Sequence, residues 1–136
     1  MAFEKGKRTV KKLAQADYKL TLLVDEVLKN MDIGVFESSR TLKRQQKLFR
    51  KGLSQLDGIK RVSKHQVDEK HPKARAIDCF PYEKGHNSFD GSDKSQLMFY
   101  EMNWHFYRAS VKLNIPIKQG YLWSFKDMPH IELAAE

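Results

Sequence analysis

The chain has 136 residues, 40% apolar and 31% charged, which suits one folded domain and excludes a disordered or fibrous chain. Its one cysteine, Cys79, excludes an intrachain disulfide framework and a cysteine-rich zinc site, so any metal must be held by His, Asp or Glu. A net charge of +8, from 25 basic and 17 acidic residues, draws such a chain to polyanions: nucleic acid, acidic lipid or an anionic cell wall.

Residues 1–8 carry charges with no apolar run behind them, so they read as no secretory signal, and synthesis in a cytoplasm is expected. No segment reaches the length of a membrane span. Over residues 9–31 the spacing of Leu13, Ala16, Leu20, Val24, Val27 and Leu28 predicts one helix, with lysines on much of its other face. Residues 32–36 read as a turn into a short strand. Residues 41–51 predict a second helix with Leu42, Leu48 and Phe49 on its apolar face and Gly52 as its stop. Residues 52–72 are polar and loop-like, with a turn at Asp57-Gly58.

Residues 74–80 alternate as a strand, ended by Pro81. Residues 83–94, rich in Gly, Asn, Ser and Asp, form a loop. Residues 96–113 predict a third helix with Met98, Phe99, Met102, Phe106 and Val111 among its apolar positions. Residues 115–117, 120–123 and 130–133 are short and β-like. No repeat or linker divides residues 1–136. Helices grouped around a few short, mainly antiparallel strands give an α+β fold.

Of the five histidines, His86 in a polar loop and His105 between Trp104 and Phe106 read as surface or structural. His130 differs, because Asp127 stands three residues before it. A metal hydrolase needs neutral imidazole and carboxylate ligands that leave one position open for water. It also needs a separate carboxylate to move the water's proton to the leaving group. Asp127 and His130 can supply one of each. Asp78 lies in the otherwise apolar Ala76-Ile77-Asp78-Cys79-Phe80, where a carboxylate is costly unless paired or metal-bound. His65 and His71 both precede it, so a His, Asp, His ligand set is available.

Ser63-Lys64-His65, Ala76-Ile77-Asp78 and Asp127-Met128-Pro129-His130-Ile131-Glu132-Leu133 together resemble the M15 family of zinc peptidases. That family includes D-Ala-D-Ala carboxypeptidases and dipeptidases. The run from Trp123 to Leu133 looks most like its phage L-alanyl-D-glutamate endopeptidase endolysins. The resemblance implies a single peptidase domain over residues 1–136, with a Hedgehog/DD-peptidase-like fold: a small antiparallel sheet with helices packed around it. It implies a Zn2+ cofactor with Asp78 and His130 as the second and third ligands and Asp127 as general base. It matches Arg40, in Ser39-Arg40-Thr41, to the family's substrate-binding arginine, a task suited to a permanent charge on a rigid fork.

Two family rules disagree over the first ligand. His65 has the Ser-x-His context but lies thirteen residues before Asp78, whereas His71 lies seven before it with Glu69 where the serine should be. A loop insertion over residues 66–73 reconciles them and makes His65 the ligand, with His71 the alternative. Glu132, two residues along a strand from His130, shares its face and could serve as base, but Asp127 fits the family position. Glu132 then has a supporting role.

The resemblance implies hydrolysis of the peptidoglycan stem peptide between L-Ala and D-Glu. The enzyme would be a monomer with no nucleic-acid partner, reaching the wall after release through the membrane. A D-Ala-D-Ala carboxypeptidase with the same metal site is the alternative within the family. A basic nucleic-acid-binding module, suggested by aromatics interleaved with Lys and Arg, is the alternative outside it.

Overall fold

The computed structural model describes residues 2–134. Among them, helices α1 (Lys7–Leu13) and α2 (Tyr18–Val27) precede strand β1 (Ile33–Glu37) and helix α3 (Leu42–Arg50). Strand β2 (Ala76–Pro81), helix α4 (Asp93–Leu113) and strands β3 (Ile117–Gln119) and β4 (His130–Leu133) follow. The strands form one antiparallel sheet in the order β1-β2-β4-β3, giving the expected α+β architecture.

The apolar spacing over residues 9–31 marks the buried face correctly, since Leu13, Ala16, Leu20, Val24, Val27 and Leu28 are all buried. The single helix, however, is two. Asp17 caps α2 by accepting from the Lys19 amide at 2.9 Å, which suits a short carboxylate at a helix start. The residues between the helices bond residue 74 instead of continuing a helix: Asp17 N donates to Ala74 O and Ala74 N to Gln15 O.

Thr41 caps α3 through a 3.1 Å bond from Arg44 N. The apolar face expected for α3 is a correction. Leu42 and Phe49 are exposed, and the buried member is Gln45. This helix covers a polar loop, so its inward side chain is an amide that bonds the loop. Two further expectations change. Residues 120–122 form a 3-10 turn rather than a strand, and Val111 points to solvent from α4.

One core cluster joins Leu20, Leu23, Val24 and Val27 of α2 with Phe99, Met102 and Phe106 of α4 and with Val35, Ile77, Cys79 and Ile131 of the sheet. Ile77 faces Ile131 across β2 and β4, and Asp78 faces His130 one step further on. Side chains alternate along a strand, so the pairing that buries two isoleucines in the core places the carboxylate and the imidazole side by side on the other face. A bulge between Val35 and Glu37 brings Glu37 opposite Asp78 as well.

Phe106 is fully buried at the centre of this core. Phe106→Ala is expected to lower stability by about 3–5 kcal/mol, read from the urea unfolding midpoint.

Candidate metal centre

Three chain segments deliver the site. Asp78 and His130 come from the central strand pair. His65 comes from the long loop, which Arg40 ties down: Arg40 N donates to His65 O at 2.7 Å and Val67 N to Arg40 O at 3.3 Å. The approach brings His65 Nε2 within 3.4 Å of Asp78 Oδ2 and 3.3 Å of His130 Nδ1, while His130 Nδ1 lies 3.5 Å from Asp78 Oδ1. All three residues are buried.

The far side of each ring is already engaged. His65 Nδ1 lies 2.7 Å from the Ser38 carbonyl, which can only accept, so Nδ1 carries the hydrogen and the Nε2 lone pair faces the cluster. His130 Nε2 lies 2.9 Å from Glu132 Oε1, so the Nδ1 lone pair also faces it. Glu132 is held in turn by Lys64 at 3.3 Å, and Lys64 also donates to the Leu133 carbonyl. Asp78 Oδ1 is buried with no hydrogen-bond partner among the described residues. Two oriented imidazole lone pairs and an orphaned carboxylate oxygen fit a divalent metal ion bound by nitrogen and oxygen.

His71 is not in this group. It sits in a turn where its amide donates to Asp68 Oδ1 at 2.7 Å and its carbonyl accepts from Asp68 N. His86 lies 2.8 Å from Ser95 Oγ at the start of α4, and His105 is part of α4.

The charges are strongly coupled. Burial pushes the Asp78 carboxyl up, but the facing His65 and His130 rings outweigh it and hold it below the usual carboxylate range. Burial favours neutral His130, yet the neighbouring Asp78 and Glu132 carboxylates prevail and push its pKa up to about 9. Asp127 is only half-buried, with Oδ2 3.9 Å from His130 Nδ1, and burial together with the Asp78 charge raises its pKa. A carboxylate raised in this way is a better proton acceptor than a free one.

The Asp127–His130 turn is closed on Gly120. Asp127 N and Trp123 N both donate to Gly120 O, at 3.0 and 3.1 Å. A Cβ at Gly120 would fall against the Asp127 carbonyl oxygen and within 2.9 Å of His130 Cβ, so this close approach requires glycine. From below, Asn103 of α4 donates to Met128 O at 3.1 Å. The Trp123 ring lies 4.8 Å from the His130 ring and shields it.

Arg40 stands beside the cluster, its guanidinium 3.9 Å from Asp78 Oδ2. Glu37 Oε1 accepts from Arg40 Nε at 3.0 Å, and Gln45 Oε1 from Nη1 at 2.7 Å. Gln45 is itself fixed by Ser54 Oγ and Leu56 O. A cleft of about 710 Å³ opens over the group, with Arg40, Arg61, Trp123, Phe125 and Asp127 on its walls. Sequence alone gives Glu37, Gln45 and Lys64 no role. The signal for Gln45 is a glutamine five residues after Arg40, within reach once the helix is drawn; Glu37 and Lys64 leave no comparable trace.

The sequence model of the family described as phage L-alanyl-D-glutamate peptidase matches residues 1–134. Among solved structures, the L-Ala D-Glu endopeptidase ChiX of Serratia marcescens has a similar fold, with a TM-score of 0.73 at 21% identity over 94% of this chain and 87% of that one. No curated protein matches the chain.

Two expected outcomes follow from the geometry. His65→Ala should abolish stoichiometric metal binding and His71→Ala should leave it intact, as read by metal content after dialysis. Metal must displace a proton from a ring whose pKa is about 9, so affinity should be nearly flat above that pH and fall as pH drops below it. The slope should approach about tenfold per pH unit, measured by calorimetric titration in buffers of different ionisation heat.

Proposed function

The chain belongs to the phage L-alanyl-D-glutamate peptidase family and is a peptidase, and from that premise we propose that it hydrolyses the peptidoglycan stem peptide between L-Ala and D-Glu as a zinc-dependent endolysin. The observation that carries the zinc assignment is the buried His65, Asp78 and His130 group, with both ring orientations fixed by Ser38 and Glu132. Zinc is favoured over calcium or magnesium because two of the three ligands are imidazoles. Bound there, it would supply an acidified water and polarise the scissile carbonyl.

The protein's own residues do the rest. Asp127 reaches the cleft from a turn fixed by Gly120 and Asn103, and its raised pKa suits it to take a proton from the attacking water. It then returns that proton to the leaving amine. Glu37 and Gln45 hold the guanidinium of Arg40 beside Asp78. From there it stabilises the negative charge that develops on the carbonyl oxygen. Glu132 and Lys64 hold His130 in the orientation its metal-facing nitrogen needs.

The charge of +8 suits an anionic wall, with attraction that weakens as salt rises. No helix among the described residues is long and apolar enough to cross a membrane. The family suggests a route to the wall by release through the membrane with the help of another protein.

Asp127→Ala should retain one metal ion per chain and lose activity by about 10²–10⁴-fold. His130→Ala should lose both. The assay is mass spectrometry of purified muropeptides: a new D-Glu amino terminus is expected, and release of free D-Ala alone would sink the endopeptidase assignment.

A further inference from the structure

Three basic side chains line the cleft: Arg40, Arg61 and Lys64. Two are already committed. Arg40 is bonded to Glu37 and Gln45, and Lys64 to Glu132 and the Leu133 carbonyl. The guanidinium of Arg61 meets no acid or acceptor among the described residues, so its charge and all five donors are free for something in the cleft.

The backbone beneath Arg61 is firmly set. Asp57 Oδ1 accepts from the amides of Ile59, Lys60 and Arg61 at 3.0, 2.9 and 3.1 Å. Gly58 N donates to Arg61 O at 3.0 Å, closing the turn. Gly58 has φ +88°, a conformation suited to glycine, and packs where a Cβ would sit 3.0 Å from Gln45. Gln66 joins this turn to the metal-binding loop, donating to Gly58 O at 3.1 Å and accepting from Ser63 N at 2.8 Å. The turn that carries Arg61 and the loop that carries His65 are thus one hydrogen-bonded unit.

The substrate inferred above has a matching feature. D-Glu continues the stem through its side-chain carboxyl, so its α-carboxylate stays free on the carbon that bears the scissile nitrogen. Resting on that reading, we propose that Arg61 is the specificity residue for this carboxylate, binding it on the leaving-group side of the cleft. A guanidinium presents paired donors that match a carboxylate bidentately. Setting the turn in advance reduces the ordering cost of that contact. Division of labour follows: Arg40, committed to the metal side, faces the developing charge, and Arg61 reads the substrate's permanent charge.

The test compares two soluble muropeptides that differ only at this group, one with the free D-Glu α-carboxylate and one with its amide. Wild-type enzyme should prefer the acid by about tenfold in kcat/KM, chiefly through KM, with the preference shrinking as salt rises. In Arg61→Ala the ratio should fall to near one, and Arg61→Lys should restore part of it. Melting temperature and metal content of each variant control for folding. Equal cleavage of acid and amide by the wild type, or an unchanged ratio in Arg61→Ala, overturns the proposal while leaving the peptidase reading standing. Cleavage of neither muropeptide by metal-loaded wild type overturns that reading and this proposal with it.

Discussion

A carboxylate at the centre of a sheet cannot be left alone, and the pairing of Asp78 with His130 across β2 and β4 is the constraint from which the rest of the site follows. The register is fixed from the other face, where Ile77 and Ile131 are packed into the core. A slip of one residue would turn the charged pair into the core and the isoleucines out. Hydrophobic burial therefore sets the geometry of a polar site that it does not touch. His65, brought over by the backbone of Arg40, completes the group.

Around that pair the structure adds supports, each of which fixes a direction. Ser38 and Glu132 fix the two rings, Lys64 fixes Glu132, and Gln45 and Glu37 fix Arg40. Ser38 is itself anchored, its hydroxyl donating to Lys12 O at the end of α1. Preorganisation of this kind matters for a charge-stabilising site, because side chains that are already aimed need not reorganise during the reaction. Asp127 is the least buried member of the set, at 41% side-chain exposure, so its carboxylate is the one most open to the cleft.

Much of this was legible in the chain. The apolar spacing identified the buried faces of α2 and α4, and the oddity of Asp78 within an apolar strand pointed to the site. Misread segments share a cause. The helix over residues 9–31 breaks because Gln15 and Asp17 bond to residue 74, a partner that local spacing cannot show. The α3 face departs from its apolar spacing because that helix lies over a polar loop, where Gln45 is buried and Leu42 and Phe49 are exposed. Residues 120–122 turn because Gly120 must receive the amides of Trp123 and Asp127.

The sequence by itself determined the kinds of residue in the buried group, the strand positions of Asp78 and His130, and the family signature from Trp123 to Leu133. These are local properties: residue chemistry, period-two alternation and short spacings. It left His65 and His71 in competition, because spacing along a loop does not state where the loop goes. Tertiary structure brought His65 into the group, through hydrogen bonds between its backbone and that of Arg40. It likewise left one cleft arginine paired and another without a partner among the described residues. Both outcomes depend on contacts between segments distant in the chain, which no local pattern encodes.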